Sequence, residues 1–406
     1  MLRSGQPSGV HPGIPRHASL ETGPPGDNLP PALLPVYATM PVRPVRGRGS
    51  WLVDEAGDRW LDAYGGHAVA STGHSHPDVV RAIAEQAGEL LFYSTAVAHP
   101  RREQLAEKLV ALCPHPLRRV FFCNSGAEAN ENALHLARRH TGRQTIVTVR
   151  GGWHGRTAAT LACTDGARYE EAARRAGMPL SRKVPFDDAA ALDSAVDDGV
   201  AAVLVEPVQG FAGARDCDAE FLRAARRLCD ERGAVLLFDE VQCGVGRCGA
   251  FSAAEAIGVA PDALTFAKGL AGGLPIGAVI ASAALTDSLT PGDLGSTFGG
   301  GPVPCAAALA NIAVIEREGL IDNAIRVGDY LTRGAHALGV PQVTGRGLLL
   351  GLHLGRPAAP VQQALFRHRI LTGTATDPQV LRLLPPLSFS LDEADLLLAG
   401  LAEVLQ

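Results

Sequence analysis

The sequence predicts an α/β protein: a large domain built on a mainly parallel sheet with helices on both faces, then a smaller α+β domain. Three observations carry this expectation. From about residue 50, short apolar, β-branched runs alternate with helical patterns. The runs are apolar throughout, as parallel strands buried on both faces are, and lack the alternation of one-sided strands. Beyond residue 300 the alternation gives way to long helices and a few short strands.

Taken in order, residues 1–30 are rich in Pro, Gly and Ser, show no periodicity, and read as a flexible leader. A cationic start followed by a long apolar stretch, which would suggest export, is absent. Residues 31–64 are expected to join the smaller domain, residues 65–295 to form the large domain, and residues 296–406 to form the smaller one. The strand-like runs are "RRVFFCNSG", "QTIVTVRGG", "VAAVLVEPV", "GAVLLFDEV", "DALTFAKGL" and "IGAVIASAAL". Helical patterns such as "AEANENALHLARRHTG" and "DAEFLRAARRLCDERG" lie between them. After residue 300 come the Ala-rich helix "PVPCAAALANIAVIEREGL", a strand at "VTGRGLLLGLHL", the short run "VLRLLPPLSFSL" and a last helix, "DEADLLLAGLAEVLQ".

A chain of 406 residues suits about two domains. Hydrophobic content of 46% with 19% charged residues describes a soluble globular protein. A net charge of −5 lacks the basic footprint of a nucleic-acid binder. No apolar run is long enough to span a bilayer. None of the eight cysteines forms a C-x-x-C pair, and several sit in apolar runs. They read as reduced, buried thiols of a cytoplasmic protein. Zinc is the rival reading at Cys243 and Cys248, but their spacing suits it poorly, and no metal site is expected.

In open α/β sheets, ligands collect at the carboxyl ends of the strands. At the first such end, Ser125, Gly126 and Ala127 open a helix. Small residues there let a backbone cradle approach an anion such as phosphate, while an ordinary N-cap is the plainer reading. Asp239 ends a run of five apolar residues, where a carboxylate needs a cation or donors. A protonated ring nitrogen, a metal or a structural arginine would each serve.

Lys268 follows Asp239 by 29 residues, one strand–helix–strand unit, so the two can face one cleft. Only Lys108, Lys183 and Lys268 are lysines among 37 cationic side chains. An amine in a dry site becomes a nucleophile able to form an imine, which arginine cannot do. In "GGWHGRT", Trp153 could cover a flat ring and Arg156 could clamp a carboxylate, with His154 a turn hydrogen-bonder or a catalyst. His74 and His76 of "GHSHP" read as residues at a helix start more readily than as metal ligands. An anion cradle, a carboxylate for a ring nitrogen, a ring-covering aromatic and a reactive lysine together describe pyridoxal 5′-phosphate.

At this point the chain resembles the class III (subgroup II) aminotransferases of pyridoxal-phosphate fold type I, and within them the acetylornithine and ornithine aminotransferases. The likeness is carried in order by "GHSHPDVVRAI", "FFCNSGAEANENALHLAR", "WHGRT", "LVEPVQG", "LLFDEVQCGVGRCGAF", "PDALTFAKGLAGGLPIGA", "PGDLGSTFGGGPVPCAAAL", "GRGLLLGLHL" and "LRLLPPL". It implies a seven-stranded large-domain sheet. It implies that Lys268 bears the cofactor and moves the proton between substrate Cα and cofactor C4′, and that Asp239 keeps the pyridine nitrogen protonated. Val241 and Trp153 would cover the two ring faces, and Gln242 would sit near the phenolic oxygen. Ser125, Gly126 and Ala127 would hold the phosphate, helped by Thr297 from the other subunit of a homodimer whose sites lie at the interface. Ser296 would lie near the substrate, Arg156 would clamp its α-carboxylate, and Arg382 would be the second carboxylate-binding arginine. Glu206 is similar to the glutamate opening the family's E-P-x-Q-G motif.

Three departures bear on substrate. Phe211 stands where the family usually has a glutamate thought to mask the second arginine. His67 replaces a small apolar or aromatic residue near the substrate tail, and "GGGP" replaces "GGNP". The implied activity is transfer of the ω-amino group of N-acetylornithine, as in arginine biosynthesis, to 2-oxoglutarate by double displacement. Ornithine, 4-aminobutyrate, diaminobutyrate and a carrier-linked lysine precursor remain alternative donors. A glutamate-1-semialdehyde-type aminomutase is a further alternative.

Overall fold

The computed structural model describes residues 32–34, 36 and 39–406. The expected leader, residues 1–30, lies outside the described residues. Pro44–Gln406 form one compact unit. Its centre is a seven-stranded sheet whose strands are labelled here β1 (Leu117–Cys123), β2 (Thr145–Val149), β3 (Arg182–Val184), β4 (Val200–Val205), β5 (Val235–Asp239), β6 (Ala263–Phe266) and β7 (Gly277–Ser282). Their spatial order is β1-β7-β6-β5-β4-β2-β3. Only β7 runs against its neighbours, pairing antiparallel with both β1 and β6.

Six of these strands coincide with the six apolar runs of the sequence. The seventh, β3, reads "RKV", too short and too polar to announce itself. Every residue of β4 and β5 is buried. Burial of each Val or Leu side chain contributes about 1.5–3 kcal/mol.

The pleat sorts these residues onto two faces. Val235 and Leu237 of β5, with Ala202 and Leu204 of β4 and Ala263 of β6, pack with Ala129, Ala133 and Leu134 of helix α1 (Gly126–Thr141). Leu236, Phe238, Val203, Val205, Leu264 and Phe266 join the core on the opposite face. Continuing the period of two, Asp239, Thr265 and Glu206 fall on the face that carries α1.

Two smaller sheets flank this one. Pro44–Arg48, Trp51–Asp54 and Arg59–Asp62 make a meander that Ile370–Leu371 joins in parallel. The second contains Gln342–Arg346, Leu349–His353, Val380–Leu383 and Gly373–Thr374. The stretch "VTGRGLLLGLHL", expected as one strand, is a hairpin. Gly345 and Gly347, at φ of +90° and +56°, let the chain reverse where a side chain would strain it. The Ala-rich helix is α2 (Pro302–Arg317). Among the described residues, no helix is long and apolar enough to cross a membrane.

The turn from β1 into α1 lies directly against the start of β7. A Cβ on Gly277 would stand 2.4 Å from the Ser125 carbonyl oxygen and 2.8 Å from Cys123 Sγ. Gly277→Ala should therefore destabilise the chain by about 1–3 kcal/mol through overpacking. A lower thermal midpoint, with weaker cofactor retention, is the expected result of a melt.

Candidate active site

The carboxyl ends of β4, β5 and β6 bring three ionisable groups to one place. Asp239, the last residue of β5, is 2% exposed. Its Oδ2 accepts from Asn130 Nδ2 at 2.7 Å and lies 2.9 Å from His154 Nδ1, while Oδ1 accepts from the Val241 N–H at 3.1 Å. Among the described residues no arginine forms the structural pair weighed from the sequence. Asn130 projects from α1, and Thr265 of β6 donates to its Oδ1 at 2.7 Å. The second Asn130 proton goes to the His154 carbonyl at 2.9 Å. His154 is itself buried, and its Nε2 has no partner among the described residues. A neutral imidazole with its proton on Nδ1 meets both facts: it donates to Asp239 and leaves only an acceptor unpaired.

Lys268 lies just beyond β6, whose Thr265 is in register with Asp239. Its backbone is left-handed, with φ of 44°. Such strain costs about 1–3 kcal/mol and persists where surroundings fix it. Asn311 of α2 supplies part of that hold: it donates to the carbonyls of Gly269 at 2.8 Å and Leu270 at 3.1 Å, and accepts from Thr72 at 3.0 Å. Burial pushes the Lys268 ammonium below its ordinary pKa, against the attraction of Asp239 and Glu206 and with repulsion from Arg382. Glu206 shifts oppositely: burial, then repulsion from Asp239, raises it well above the carboxylate range, although the Trp153 N–H donates to its Oε2 at 2.9 Å.

Ser125 caps α1, its hydroxyl accepting from the Glu128 N–H at 3.2 Å. Gly126 follows because Val241 packs on it: a Cβ there would stand 2.6 Å from Val241 Cγ1. Ala127 completes a helix start suited to an anion. Beside it, Ser296 Oγ accepts from Asn124 Nδ2 at 3.2 Å and from the Gly299 N–H at 3.1 Å, and Thr297 is exposed on the same loop.

Trp153 belongs to an aromatic wall, its ring centroid 4.5 Å from Phe211 and 4.9 Å from Tyr169. The exposed Arg156 places its guanidinium 5.1 Å from the Trp153 ring. Arg382, from the strand Val380–Leu383, is 1% exposed. It donates to the carbonyls of Thr374 and Gly210, to Gln242 Oε1 at 3.4 Å and to Tyr64 Oη at 3.0 Å. The Phe211 ring lies 5.1 Å from it. Tyr64 Oη in turn stands 2.6 Å from His67 Nδ1.

Asn130, Thr265, Asn311 and Tyr64 belong to this site and escape sequence reasoning. The one signal for Asn130 is a polar residue within the small apolar stripe Ala129, Ala133 and Ala137 of α1. His76 does cap the helix Pro77–Glu89, as expected. His74 instead meets the buried Asp62 carboxylate at 2.7 Å. Asp62 also accepts from the Tyr64 and Gly66 N–H groups, at 2.9 and 3.0 Å.

The residues present fit one cofactor. The buried Asp239 charge has neutral hydrogen-bond donors but no arginine or lysine salt bridge among the described residues, so a protonated ring nitrogen supplies what it lacks. A helix N-terminus stripped of side-chain bulk suits a phosphate, and a desolvated lysine suits a carbonyl carbon. The fold and the site define a pyridoxal-phosphate-dependent transferase. More narrowly, the chain belongs to the class III aminotransferases, whose family profile matches residues 35–405.

It is 43% identical over 379 residues to acetylornithine aminotransferase 1 of Bordetella bronchiseptica, covering 90% of this chain and 95% of that protein. It is 41% identical over 382 residues to the acetylornithine aminotransferase of Methanocaldococcus jannaschii, covering 91% and 95%. Among solved structures it resembles the ornithine aminotransferase of Toxoplasma gondii, with a TM-score of 0.84 and 30% identity over 90% of this chain and 91% of that one.

Asp239→Asn removes the charge while keeping the shape. Turnover should fall by about a hundredfold or more, the scale of losing one preorganised electrostatic partner. A steady-state assay checks this, and an unchanged rate would remove Asp239 from the ring-nitrogen role.

Proposed function

We propose that this aminotransferase moves the ω-amino group of N-acetylornithine to 2-oxoglutarate, and that it serves arginine biosynthesis in the cytoplasm. The observation that carries the reading is the pairing of a desolvated Lys268 with two arginines of different setting. Arg156 is exposed beside Trp153, and Arg382 is buried among neutral groups. The names of the relatives at 41–43% identity supply the donor.

Bound pyridoxal phosphate supplies an electrophilic carbonyl carbon and an electron-withdrawing ring. Ser125, Gly126 and Ala127 would hold its phosphate, Asp239 its ring nitrogen, Val241 and Trp153 its faces, and Lys268 its carbonyl carbon. Gln242 would lie near the ring's oxygen. The chain's own part is then positioning and proton transfer. Burial lowers the ammonium pKa of Lys268, so its Nζ can take the proton from the amine-bearing carbon. Arg156 clamps the donor's carboxylate, with Ser296 and Glu206 close by. Arg382 takes the second carboxylate of the oxo acid, which its planar fork suits. The rings of Trp153, Tyr169 and Phe211 keep water from that side of the cleft.

We also infer a homodimer with Thr297 reaching the partner's phosphate site. Leu91, Phe92 and Tyr93 are 69%, 39% and 50% exposed, and Phe298, next to Thr297, is 65% exposed and pairs with Phe92 at 5.1 Å. An apolar patch of this kind, beside the active-site loop, fits a second copy.

A panel of amino donors with 2-oxoglutarate should rank N-acetylornithine first by kcat/KM. Lys268→Ala should turn over none of them, and a first rank for 4-aminobutyrate or ornithine would replace the donor assignment. Phe298→Lys should shift the protein toward monomers in sedimentation, with lower activity; an unchanged sedimentation coefficient would place the interface elsewhere.

A further inference from the structure

Arg382 has an unusual set of partners for a buried guanidinium. Thr374, Gly210 and Gln242 offer neutral oxygens, Tyr64 a hydroxyl, and Phe211 a ring face. Among the described residues no carboxylate forms an ion pair with it. Glu206 is a carboxylate whose field acts on it, and that group is tied to the Trp153 N–H. One proton of Nη2 is left without an acceptor among the described residues.

The hydroxyl of Tyr64 is held on both sides. A guanidinium only donates, so Arg382 Nη2 fills one lone pair of Tyr64 Oη, and the phenolic proton is free to go elsewhere. His67 Nδ1 is 2.6 Å away and can accept it as a neutral imidazole with its own proton on Nε2. Desolvation first, and then the charges of neighbouring side chains, hold the imidazole pKa below its ordinary value, although part of the ring is open to solvent in the single chain. Donation to His67 makes the Tyr64 oxygen a better acceptor for Arg382, because hydrogen bonds in series polarise one another.

The backbone is shaped for this contact. Gly66 and His67 are left-handed, with φ of 58° and 72°, and Asp62 accepts from the N–H groups of Tyr64 and Gly66. The Tyr64 ring is fixed by Gly373, where a Cβ would stand 2.0 Å from Tyr64 Cε2. Strain in a loop, a buried aspartate and a glycine platform all serve to aim one hydroxyl.

We propose that Tyr64 and His67 form a neutral relay that positions the Arg382 guanidinium while leaving its charge uncompensated, so that a dicarboxylate acceptor is its first anionic partner. His67 is thus a positioning residue that acts through Tyr64, and the pair sets the preference for a second carboxylate. This rests on the reading of 2-oxoglutarate as acceptor.

The test is calorimetric titration of the holoenzyme with glutarate, a dicarboxylate with no carbonyl to react, alongside KM and kcat for 2-oxoglutarate. Tyr64→Phe keeps the ring on Gly373 and should weaken glutarate binding by about tenfold or more, the scale of a hydrogen bond to a charged group. His67→Gly removes the acceptor without backbone strain at positive φ and should weaken it severalfold. His67→Asn should restore binding, since its Oδ1 occupies the place of Nδ1 and Asn tolerates the left-handed region. In each weakened variant the loss should fall on the KM for 2-oxoglutarate more than on kcat. If wild-type protein binds glutarate and both Tyr64→Phe and His67→Gly bind it equally well, the relay is refuted while the acceptor reading stands. If wild-type protein neither binds glutarate nor uses 2-oxoglutarate, both fall together.

Discussion

A carboxylate buried at the end of a parallel strand is the constraint around which this site is organised. An unpaired charge in that position costs several kcal/mol. Asp239 offsets part of this with three donors, each contact to a charged acceptor being worth about 1.5–3 kcal/mol. The donors are an amide, an imidazole and a backbone N–H, so the charge is solvated but not cancelled. One donor also sets a distance. Asn130 lies four residues into α1 from Gly126, about 6 Å along the helix axis. By gripping Asp239, it fixes the helix N-terminus relative to the carboxylate. The phosphate end and ring-nitrogen end of a bound cofactor would therefore be registered by a single side chain, which Thr265 of β6 locks from behind.

The lysine is placed by an independent set of contacts. Asn311 of α2 holds the carbonyls that follow Lys268, and Thr72 holds Asn311 in turn. The strained φ at Lys268 is thus maintained by polar contacts from two other parts of the chain. Burial then does to the lysine what it does to Glu206 in the opposite sense: each is pushed toward its neutral form. A neutral amine beside a shielded carboxylate is a better proton acceptor than an intimate ion pair would be.

How far the sequence discloses this follows from which signals are local. Strands buried on both faces need apolar text, and β4 to β7, buried along their whole length, are written that way; β1 carries two exposed arginines, and β3, with its partly exposed "RKV", does not announce itself. Lys268 and Asp239 stand out because a charged residue ending such a run demands a reason. Their flanking turn and cap, Ser125-Gly126-Ala127, is equally local. Asn130, Thr265 and Asn311 do not stand out, since an Asn or Thr on a helix or strand is ordinary until the partner across the sheet is known. The hairpin at 342–353 is hard to read because its turn is short and the apolar run begins directly after it, so that Gly345 and Gly347 are the local marks of the reversal. Phe211 is visible as a departure from the family pattern, but the hydroxyl that meets Arg382 comes from Tyr64, more than 300 positions away, and His67 reaches it only through Tyr64.

That replacement has a thermodynamic logic. A buried arginine paired with a resident carboxylate is well satisfied, and an incoming dicarboxylate must displace that partner before it gains anything. Removing the resident carboxylate without compensation would leave a desolvated cation, a penalty large enough to expel or deprotonate most side chains. Carbonyls, a phenol and an aromatic face stand between these extremes. Each stabilises the guanidinium by a modest amount, and none neutralises it. The charge thus remains available to a substrate, at the cost of a pKa held below the usual arginine value by burial. Arginine tolerates that shift because it stays protonated under any physiological condition, whereas a lysine so placed would lose its charge. Lysine at 268 and arginine at 382 would thus divide the work, the one an amine able to react and the other a charge that persists.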